Sequence, residues 1–552
     1  MSNAELASDI LRDQSAMESL RFNFDSTNQR IADLIMPSSS LFLSRDVVQG
    51  QRKDQFQFDS TGALALSRFS AAVESILTPR TQRWHTLQTR YDALNKLNSV
   101  KRYCEAVTDV LFRARYSPRA GFTYATGEGY MSLGAFGNSC IFLDDDVGKD
   151  LRYRSLFVGD IWGGVDHAGR IDRVHRKFTL TARQAMTKPE WKGKLPESIV
   201  KAAEKNPEKE FDFIHCVKNN RDYDPSRIDR RGMQYASYYL ACEGREIIEE
   251  GGYRTMPYLF SRFMTAPRET YGRGPASMVL NTLNGINEKQ KTMLRAGQRA
   301  VDPPLMTVDD DALEVFNMKS NAINRGWLND QGQPNVVPFQ SGTNLAIGLE
   351  MVQDDRGVIN DAFFVTLFQI LMEQPQMTAT EALLRAEEKG QLLGPSVGRQ
   401  QSELLDPMVE RELDILSRVP GLLPEMPPEL REAGGFLSIK YTSPLDRLQR
   451  SGEGAATLRW LESAVPLEQL EPGLLKRTAD LSAMLKGLAD IQGVPADYML
   501  DDDQSAEIGE EQAAQMQAQQ LLAAAPVAGK AALDITKAQQ LAAATPSAVG
   551  LL

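Results

Sequence analysis

The sequence predicts an α+β fold that is mainly helical, and three observations support this prediction. Apolar residues recur at helical spacing in long runs, several of which end at prolines. Between residues 151 and 258 the pattern changes to short β-like runs divided by turns. The 552 residues, 42% hydrophobic and 24% charged, have the composition of a globular protein and suffice for a sizeable core.

Three helices are predicted in the first third of the chain. They span residues 6–34, 60–77 and about 97–114. Pro37 and Pro79 end the first two, because proline cannot continue a helix. The glycine-rich segment 121–140 is expected to be a loop that leads into a strand at Ile141–Leu143.

The middle block is predicted to be an α+β unit. Its β-like runs cover residues 154–158, 173–180, 211–217, 236–241 and 245–249. We expect the glycine pairs at 163–164 and 251–252 to form turns between strands, and a helix at 181–187.

A first long helix of the second half is predicted over residues 275–301. Pro275 suits a first helical turn, and the sequence Asp302-Pro303-Pro304 cannot continue a helix. Residues 303–345 are expected to form short strands and turns.

Two more helices are predicted after that insert. One covers about residues 346–372, and the other begins at the capping box of Thr378 and Glu381 and runs to about residue 418. An interruption at Gly394-Pro395 and a kink at Pro407 are expected in the latter.

The C-terminal part is predicted to contain a strand at 436–441 and helices at about 444–465 and 474–489. Alanine and glutamine dominate the last 50 residues, with few charges and no aromatic residues. Helix propensity is high there but a core is hard to build, so we expect either helix that depends on neighbouring subunits or a frayed tail.

Charge and cysteine content narrow the function classes. A net charge of −11 argues against a general basic coat for nucleic acid, so any such contact must be local or weak. The four cysteines have no paired metal spacing. No signal-like start and no apolar run of 18 residues occur, which predicts a protein that acts or is assembled in a cytosol.

No motif for catalysis or for a cofactor stands out. The glycines at 127, 129, 272 and 274 are not followed by a phosphate-binding lysine, and we expect them to form turns through positive φ. The four histidines form no metal or catalytic spacing, and no GxSxG occurs. Aspartates at 144–146, 309–311, 354–355 and 501–503 could hold Mg²⁺ in a nuclease, or simply form solvated faces.

Two charged stripes mark the predicted helices of the second half. Lys291, Arg295 and Arg299 are spaced i, i+4, i+8 on the first helix. They form either a solvated face or a site for phosphate or for acids of another subunit. An acidic stripe of Glu350, Asp354 and Asp361 lies on the next helix. Opposite stripes on neighbouring helices would suit side-by-side packing of identical subunits.

Eight motifs in one order over about 400 residues carry a resemblance to a known family. They are Phe58-Asp-Ser-Thr-Gly62; Leu77-Thr-Pro-Arg80 with Arg83-Trp84 and Leu87; Gly134-Ala-Phe-Gly-Asn138; Arg176-Lys-Phe-Thr-Leu-Thr-Ala-Arg-Gln184; Gly252-Tyr-Arg-Thr-Met-Pro257; Tyr271-Gly-Arg-Gly-Pro275; Asp302-Pro-Pro304; and Ser443-Pro-Leu-Asp-Arg-Leu-Gln449. From about residue 5 to 450 the chain resembles the portal, or head-to-tail connector, proteins of short-tailed double-stranded DNA phages.

The resemblance implies a ring-forming portal fold with wing, stem, clip and crown regions. In order, we expect the wing at 1–274, stem helix 1 at 275–302, the clip at 303–345, stem helix 2 at 346–372, the channel loop at 373–378, a wing helix and strand at 379–443, the crown at 444–500, and at 501–552 a helical barrel or disordered tail.

It also implies a function without catalysis and without a cofactor. A ring of typically twelve subunits at one capsid vertex of the virion, assembled in the host cytoplasm, would pass double-stranded DNA during packaging and ejection. The implied partners are the terminase large subunit, which supplies the ATP-driven pump, the major capsid and scaffolding proteins, the tail adaptor and the internal core proteins. No membrane is involved.

A conduit must contact DNA weakly, because each neutralised phosphate tightens binding. We therefore expect Glu350, Asp354 and Asp361 to face the bore and Lys291, Arg295 and Arg299 to pair with acids of a neighbouring subunit. In the channel loop, loose DNA contacts are expected from Gln374, Gln376 and Met377. Two alternatives are a monomeric metal-dependent DNA-processing enzyme and a capsid adaptor without a channel.

Overall fold

The computed structural model describes most of the first 307 residues and several later segments. The described residues are 3–44, 48–145, 151–307, 319–323, 327–328, 331–334, 336–338, 345–366, 394–441, 454, 456–466, 477–492, 508 and 514–515.

Thirteen helices are labelled in the described part of the chain. They are α1 Asn3–Ile35, α2 Thr61–Leu77, α3 Asp92–Asn95, α4 Asn98–Arg115, α5 Phe122–Phe136, α6 Ala182–Thr187, α7 Glu197–Lys205, α8 Pro275–Met278, α9 Leu280–Val301, α10 Leu345–Ala362, α11 Asp406–Ser417, α12 Pro428–Glu432 and α13 Leu481–Gln492. Residues 394–400 and 456–466 are also helical.

The strands form one large sheet and several small ones, and the pairs within the five-stranded and three-stranded sheets are antiparallel. Their bounds are β1 His85–Thr89, β2 Asn138–Asp145, β3 Leu151–Leu156, β4 Ile161–Val165, β5 Ile171–Thr181, β6 Glu210–Asn219, β7 Tyr235–Ala241, β8 Glu246–Tyr253, β9 Tyr258–Arg262, β10 Leu305–Thr307, β11 Val336–Pro338 and β12 Leu437–Tyr441. The large sheet has the order β4-β5-β6-β7-β8, a second sheet has the order β3-β2-β9, and β10 pairs with β11. The expected helices in the first third and the expected strands of the middle block are thereby confirmed to within a few residues.

The chain divides into two compact units. The first comprises Met1–Leu87, Ala106–Glu425 and Ser438–Leu461, and holds both larger sheets, α9 and α10. The second comprises Gln88–Glu105, Met426–Leu437 and Glu462–Leu552. Within the second unit the guanidinium of Arg90 lies 5.8 Å from the ring centroid of Phe436.

The five-stranded sheet buries both of its faces. On one face α1 packs with a stripe of buried residues at 7, 10, 14, 17 and 21, the spacing of one helix side. Ile214, Cys216 and Leu240 of the sheet share a core with α1. On the other face α6 packs through Ala185, α7 through Ile199, and the short turn Pro189–Trp191 between them through Trp191. Near β4 the sheet meets the three-stranded sheet.

The sequence predicts a loop for the glycine-rich segment 121–140, and this prediction is wrong. The segment forms the buried helix α5 followed by β2. Its glycines permit close packing. A Cβ on Gly134 would lie 2.7 Å from side-chain atoms of Leu66 and Phe69 on α2. Only the flanking Gly121 and Gly137 have positive φ, at 74° and 72°, and cap the helix.

The prediction of turns at the other glycines is also wrong. Gly163-Gly164 lies within β4 and Gly251-Gly252 within β8. A Cβ on Gly164 would meet the Arg173 side chain at 2.3 Å, and one on Gly252 would meet Met233 at 2.7 Å. The glycines at 127, 129, 272 and 274 likewise lack positive φ. Gly272 instead allows close approach to the carbonyl of Gly137.

The described helical segment 394–417 begins at Gly394-Pro395, and the residues that would show the expected interruption there lie outside the described residues. A π turn at Gln401–Leu405 precedes Pro407. The segment's buried acids and arginines pair with residues of β2, β3, β9 and α4. Arg115 donates from Nε to Glu412 Oε1 at 2.9 Å, and both side chains are fully buried. Tyr153 also donates to Glu412. Burial alone would lower the pKa of Arg115, but the Glu412 carboxylate raises it.

Replacing Glu412 by Gln should destabilise the protein severely. Arg115 would keep its charge in the core without a counter-charge, which costs about 3–5 kcal/mol in the free energy of unfolding. Urea unfolding of E412Q measures this loss, and E410Q on the same helix, where the carboxylate is exposed, is the control. The paired variant R115M/E412L should recover most of the loss, and equal stability of E412Q and wild type would contradict the assignment.

Three of the four histidines are buried in the first unit. His215 contacts Tyr258 Oη at 2.6 Å through Nδ1 and Ser237 Oγ at 2.9 Å through Nε2, and stacks on Tyr239. Burial, followed by nearby cations such as Arg176, lowers the pKa of His215. Burial also lowers the pKa of His85, and lowers that of His175 to about 3. The native fold therefore holds these imidazoles neutral.

Stability should fall as the pH drops below about 6.5, the pKa of an unfolded imidazole. The unfolded chain then binds protons that the native state does not, so the free energy of unfolding declines by up to about 1.4 kcal/mol per pH unit for each buried histidine. Urea unfolding at pH 7.5, 6 and 5 tests this.

The H175Q variant should show a shallower pH slope than wild type, whatever its stability at pH 7.5. H167Q is the matched control, because that side chain is exposed. A wild-type free energy of unfolding that stays constant from pH 7.5 to 5 would refute the prediction.

Candidate functional site

The candidate site is an antiparallel pair of helices, α9 and α10. The expected helix 275–301 ends where predicted, at Val301, but breaks at Val279 into α8 and α9. Lys289 on α9 pairs with Asp355 on α10 at 2.7 Å. Met293, which follows Lys289 by four residues on α9, lies against Gly348, which precedes Asp355 by seven residues on α10. This opposite progression defines the antiparallel register.

The α9–α10 pair is fixed to the first unit by polar contacts as well as by its core. Arg356 on α10 donates to Asp59 Oδ2 at 2.8 Å. Burial would raise the pKa of Asp59, but hydrogen bonds from Thr61 and Arg356 outweigh it and the pKa is lowered. On α9, the Asn287 side chain accepts from Phe58 N at 2.7 Å and donates to Phe56 O at 2.9 Å.

The acidic stripe lies on the side of α10 that faces away from the core. Glu350, Asp354 and Asp361 are all exposed. At about 100° per residue they fall within roughly 40° of one another, and roughly opposite the buried Val352 and Ile359. The structure therefore brings these three predicted residues onto one solvent-facing surface.

An exposed apolar stripe lies beside the acidic one. Ile347, Met351 and Val358 are about half exposed, at 56%, 47% and 50%. At about 100° per residue, each of these apolar residues lies roughly 20–100° around the helix axis from the acidic residues. A row of apolar side chains on a helix that is anchored elsewhere is typical of a surface that meets another protein.

The basic stripe of Lys291, Arg295 and Arg299 lies on a different side of α9 from Lys289, which pairs with α10. Lys291 pairs with Glu288 of the same helix at 3.2 Å and is only partly exposed. Arg295 and Arg299 are exposed and line an open cleft of about 1040 Å³, together with Leu294, Val301 and Leu349. Within the described residues of this chain, no ion pair joins the basic stripe to the acidic stripe.

The helix expected over 346–372 is interrupted in the structure, because α10 ends at Ala362 and a turn at 363–364 separates it from the helical residues 365–366. Residues 367–372 lie outside the described residues. Phe364 has a φ of 57°, which breaks the helix, and Phe363 is fully buried with its ring centroid 6.2 Å from that of Phe69. Packing of Phe363 thus overrides the apolar periodicity. The channel-loop residues Gln374, Gln376 and Met377, and most of the segment 303–345, lie outside the described residues.

The aspartate clusters do not form a shared site where they are described. Asp354 is exposed while its neighbour Asp355 pairs with Lys289. The clusters at 309–311 and 501–503 lie outside the described residues. In the described part of the chain, no group of three or more His, Cys, Asp or Glu side chains is arranged to hold a metal ion. None of the described helices is both long enough and apolar enough to cross a membrane.

The antiparallel pair of α9 and α10, which we call the α9–α10 hairpin, is fixed by residues that the sequence pattern does not single out. Lys289, Asp355, Arg356 and Asp59 act between elements, and their pairing requires the register of α9 on α10. The only signal in the sequence is the adjacent pair Asp354-Asp355, whose members must point about 100° apart on a helix.

Reversing the charge of Asp355 should loosen the hairpin. D355K would place two ammonium groups together where Lys289 Nζ and Asp355 Oδ2 now lie 2.7 Å apart. We expect faster amide hydrogen exchange in α9 and α10, and the charge swap K289D/D355K should restore protection. The neighbouring D354K, at an exposed position, is the matched control. Equal exchange in D355K and wild type would show that this pair does not hold the helices.

Comparisons with known proteins agree on one family. A family model described as "Bacteriophage head to tail connecting protein" matches residues 7–500. A probable portal protein of Bordetella phage BPP-1 is 26% identical over 501 residues, covering 89% of this chain and 88% of that protein. The portal protein of Salmonella phage epsilon15 is 25% identical over 543 residues, covering 96% of this chain and 95% of that protein.

Proposed function

The chain belongs to the family of bacteriophage head-to-tail connecting proteins, and from this premise we propose that it forms a ring whose axial channel conducts the phage genome. The ring would occupy one capsid vertex and pass double-stranded DNA inward during packaging and outward during ejection. The observation that carries this proposal is the α9–α10 hairpin, which presents an acidic stripe and an apolar stripe side by side on α10.

The apolar stripe supplies the contact between neighbouring subunits in this proposal. A ring needs a heterologous interface, in which one surface of each copy meets a different surface of the next. Ile347, Met351 and Val358 offer one such surface. The cleft beside Leu294 and Val301 offers another, and its Arg295 and Arg299 are available to acids of the adjacent copy.

The acidic stripe lines the bore in this proposal. Cationic side chains would bind phosphates and release counterions, and the resulting affinity would hold the duplex at many points. Glu350, Asp354 and Asp361 instead repel the DNA backbone and leave it free to slide. Twelve copies of a chain with net charge −11 would give the whole ring a net charge of −132.

The remaining assignments follow from the family. We propose a wing at 1–274 and 379–443, a stem at 275–302 and 346–372, a clip at 303–345, a channel loop at 373–378, a crown at 444–500 and a barrel or tail at 501–552. The clip would meet the terminase large subunit and later the tail adaptor, and other surfaces would meet capsid, scaffolding and internal core proteins. The protein would itself catalyse no reaction, and assembly would take place in the host cytoplasm.

Charge reversal in the acidic stripe should slow DNA translocation without preventing assembly. In D354K/D361K the lysines would attract phosphates in the bore, so we expect DNA packaging in vitro to slow by about tenfold or more at low salt and to recover partly at higher salt. Packaged DNA per procapsid over time is the measurement.

The control for that experiment is E190K/E204K, which makes the same charge change at exposed positions of the middle block. It should package at the wild-type rate. If D354K/D361K rings also package at the wild-type rate, the stripe does not face the bore.

Polar substitution in the apolar stripe should instead prevent ring formation. M351D/V358D would place two carboxylates in the proposed contact between copies, and burying unpaired charges is strongly unfavourable. Native mass spectrometry should show monomers or short oligomers in place of rings, with circular dichroism unchanged. D354K/D361K, on the adjacent stripe, is the matched control and should still assemble. Normal rings from M351D/V358D would exclude this stripe from the interface.

A further inference from the structure

A second surface of the first unit combines arginines with aromatic rings. It is a cleft of about 580 Å³ between the loop that follows α2 and the last turns of α4, a size within the usual range of ligand pockets. We call it the arginine cleft. Its lining includes Arg80, Arg83, Asp109, Phe112, Arg113 and Tyr116. They are separate from the stripes of α9 and α10.

The aromatic wall of the arginine cleft is held in place from behind. The Phe112 and Tyr116 rings stack with centroids 6.0 Å apart. The fully buried Trp84 packs on Phe112 at 5.8 Å and donates from Nε1 to Tyr116 Oη at 3.4 Å. Because the wall is fixed by the core, little ordering is needed when a partner binds.

The arginines of the cleft differ in whether a carboxylate pairs with their guanidinium group. Arg83 pairs with Asp109. Arg80 and Arg113 are exposed, and neither forms a hydrogen bond or ion pair with any residue that the structure describes. Arg80 acts only at longer range on Glu74, where it opposes the rise in pKa caused by burial. Two arginines beside stacked aromatic rings therefore remain available to an anion.

We propose that the arginine cleft binds an acidic segment of a partner protein, in which carboxylates flank an apolar side chain. Guanidinium groups bind carboxylates in a bidentate geometry, and the Phe112 and Tyr116 rings, which line the same cleft as Arg80 and Arg113, offer an apolar contact.

Duplex DNA fits the arginine cleft less well. A duplex carries one charge per about 1.7 Å of its axis and is stiff, and Asp109 lies in the same cleft as the two arginines, so a rigid row of phosphates would also meet this carboxylate. Its bases are stacked inside and would leave the aromatic wall uncovered. A flexible peptide can place its carboxylates at the arginines alone.

The test uses the full-length protein and a fluorescein-labelled peptide of four Glu-Glu-Leu repeats. Fluorescence anisotropy should show saturable binding that weakens at high salt, and a Lys-Lys-Leu peptide should not bind. The variant R80E/R113E should bind at least about tenfold more weakly, because two charge-assisted contacts become repulsive. R80Q/R113Q should show an intermediate loss.

The matched control is R12E/R68E, which reverses two exposed arginines outside the cleft and should bind within about twofold of wild type. Absence of binding to the wild-type protein, or equal binding by R80E/R113E, would overturn the proposal. Displacement of the peptide by a 20-base-pair duplex, with loss of duplex binding in R80E/R113E, would also overturn it and assign the cleft to nucleic acid.

Discussion

The buried ion pair between Arg115 and Glu412 is the constraint on which the first unit depends. Neither charge can be solvated, so the helix that carries Glu412 must keep its position relative to α4 and β3. The same helical segment places Glu403 against Arg262 at 2.7 Å on β9, and its Arg411 donates to Leu143 O of β2. The π turn at 401–405 directly precedes these contacts with β2, β3 and α4, and gives the helix a local change of register. Because these charge pairs are buried or partly buried, the helical segment 394–417 cannot shift along β2, β3, β9 and α4 without breaking them.

Ion pairs between elements also determine which side of α10 is exposed and carries the acidic and apolar stripes. The buried face of α10, with Val352 and Ile359, and the pairs formed by Asp355 and Arg356, determine which side of the helix remains exposed. Among the described residues, the acids that remain there form no ion pair with α9, and Asp361 accepts a hydrogen bond from Thr366, just beyond the end of α10. Their repulsion toward DNA and the apolar stripe beside them suit a subunit that is incomplete until it meets a copy of itself.

Much of the fold was predictable from the sequence. Helices α1, α2, α4 and the end of α9 followed from apolar spacing and from prolines, which are local signals, and the family resemblance drawn from eight motifs is confirmed by the match over residues 7–500. The failures share one cause. Gly134, Gly164 and Gly272 were interpreted as chain-breaking, yet each makes room for a neighbour that is distant in sequence. The interruption after α10 at Phe363 and the pair of Lys289 with Asp355 also depend on tertiary packing, which no local pattern contains.

An electron cryomicroscopy reconstruction of the purified full-length protein tests the central claim most directly. The account predicts a closed ring with an axial hole, in which Glu350, Asp354 and Asp361 of every copy line the narrow part of the channel and Met351 and Val358 are covered by the adjacent copy. A monomer, or a ring in which the acidic stripe lies on the outer wall, would contradict it.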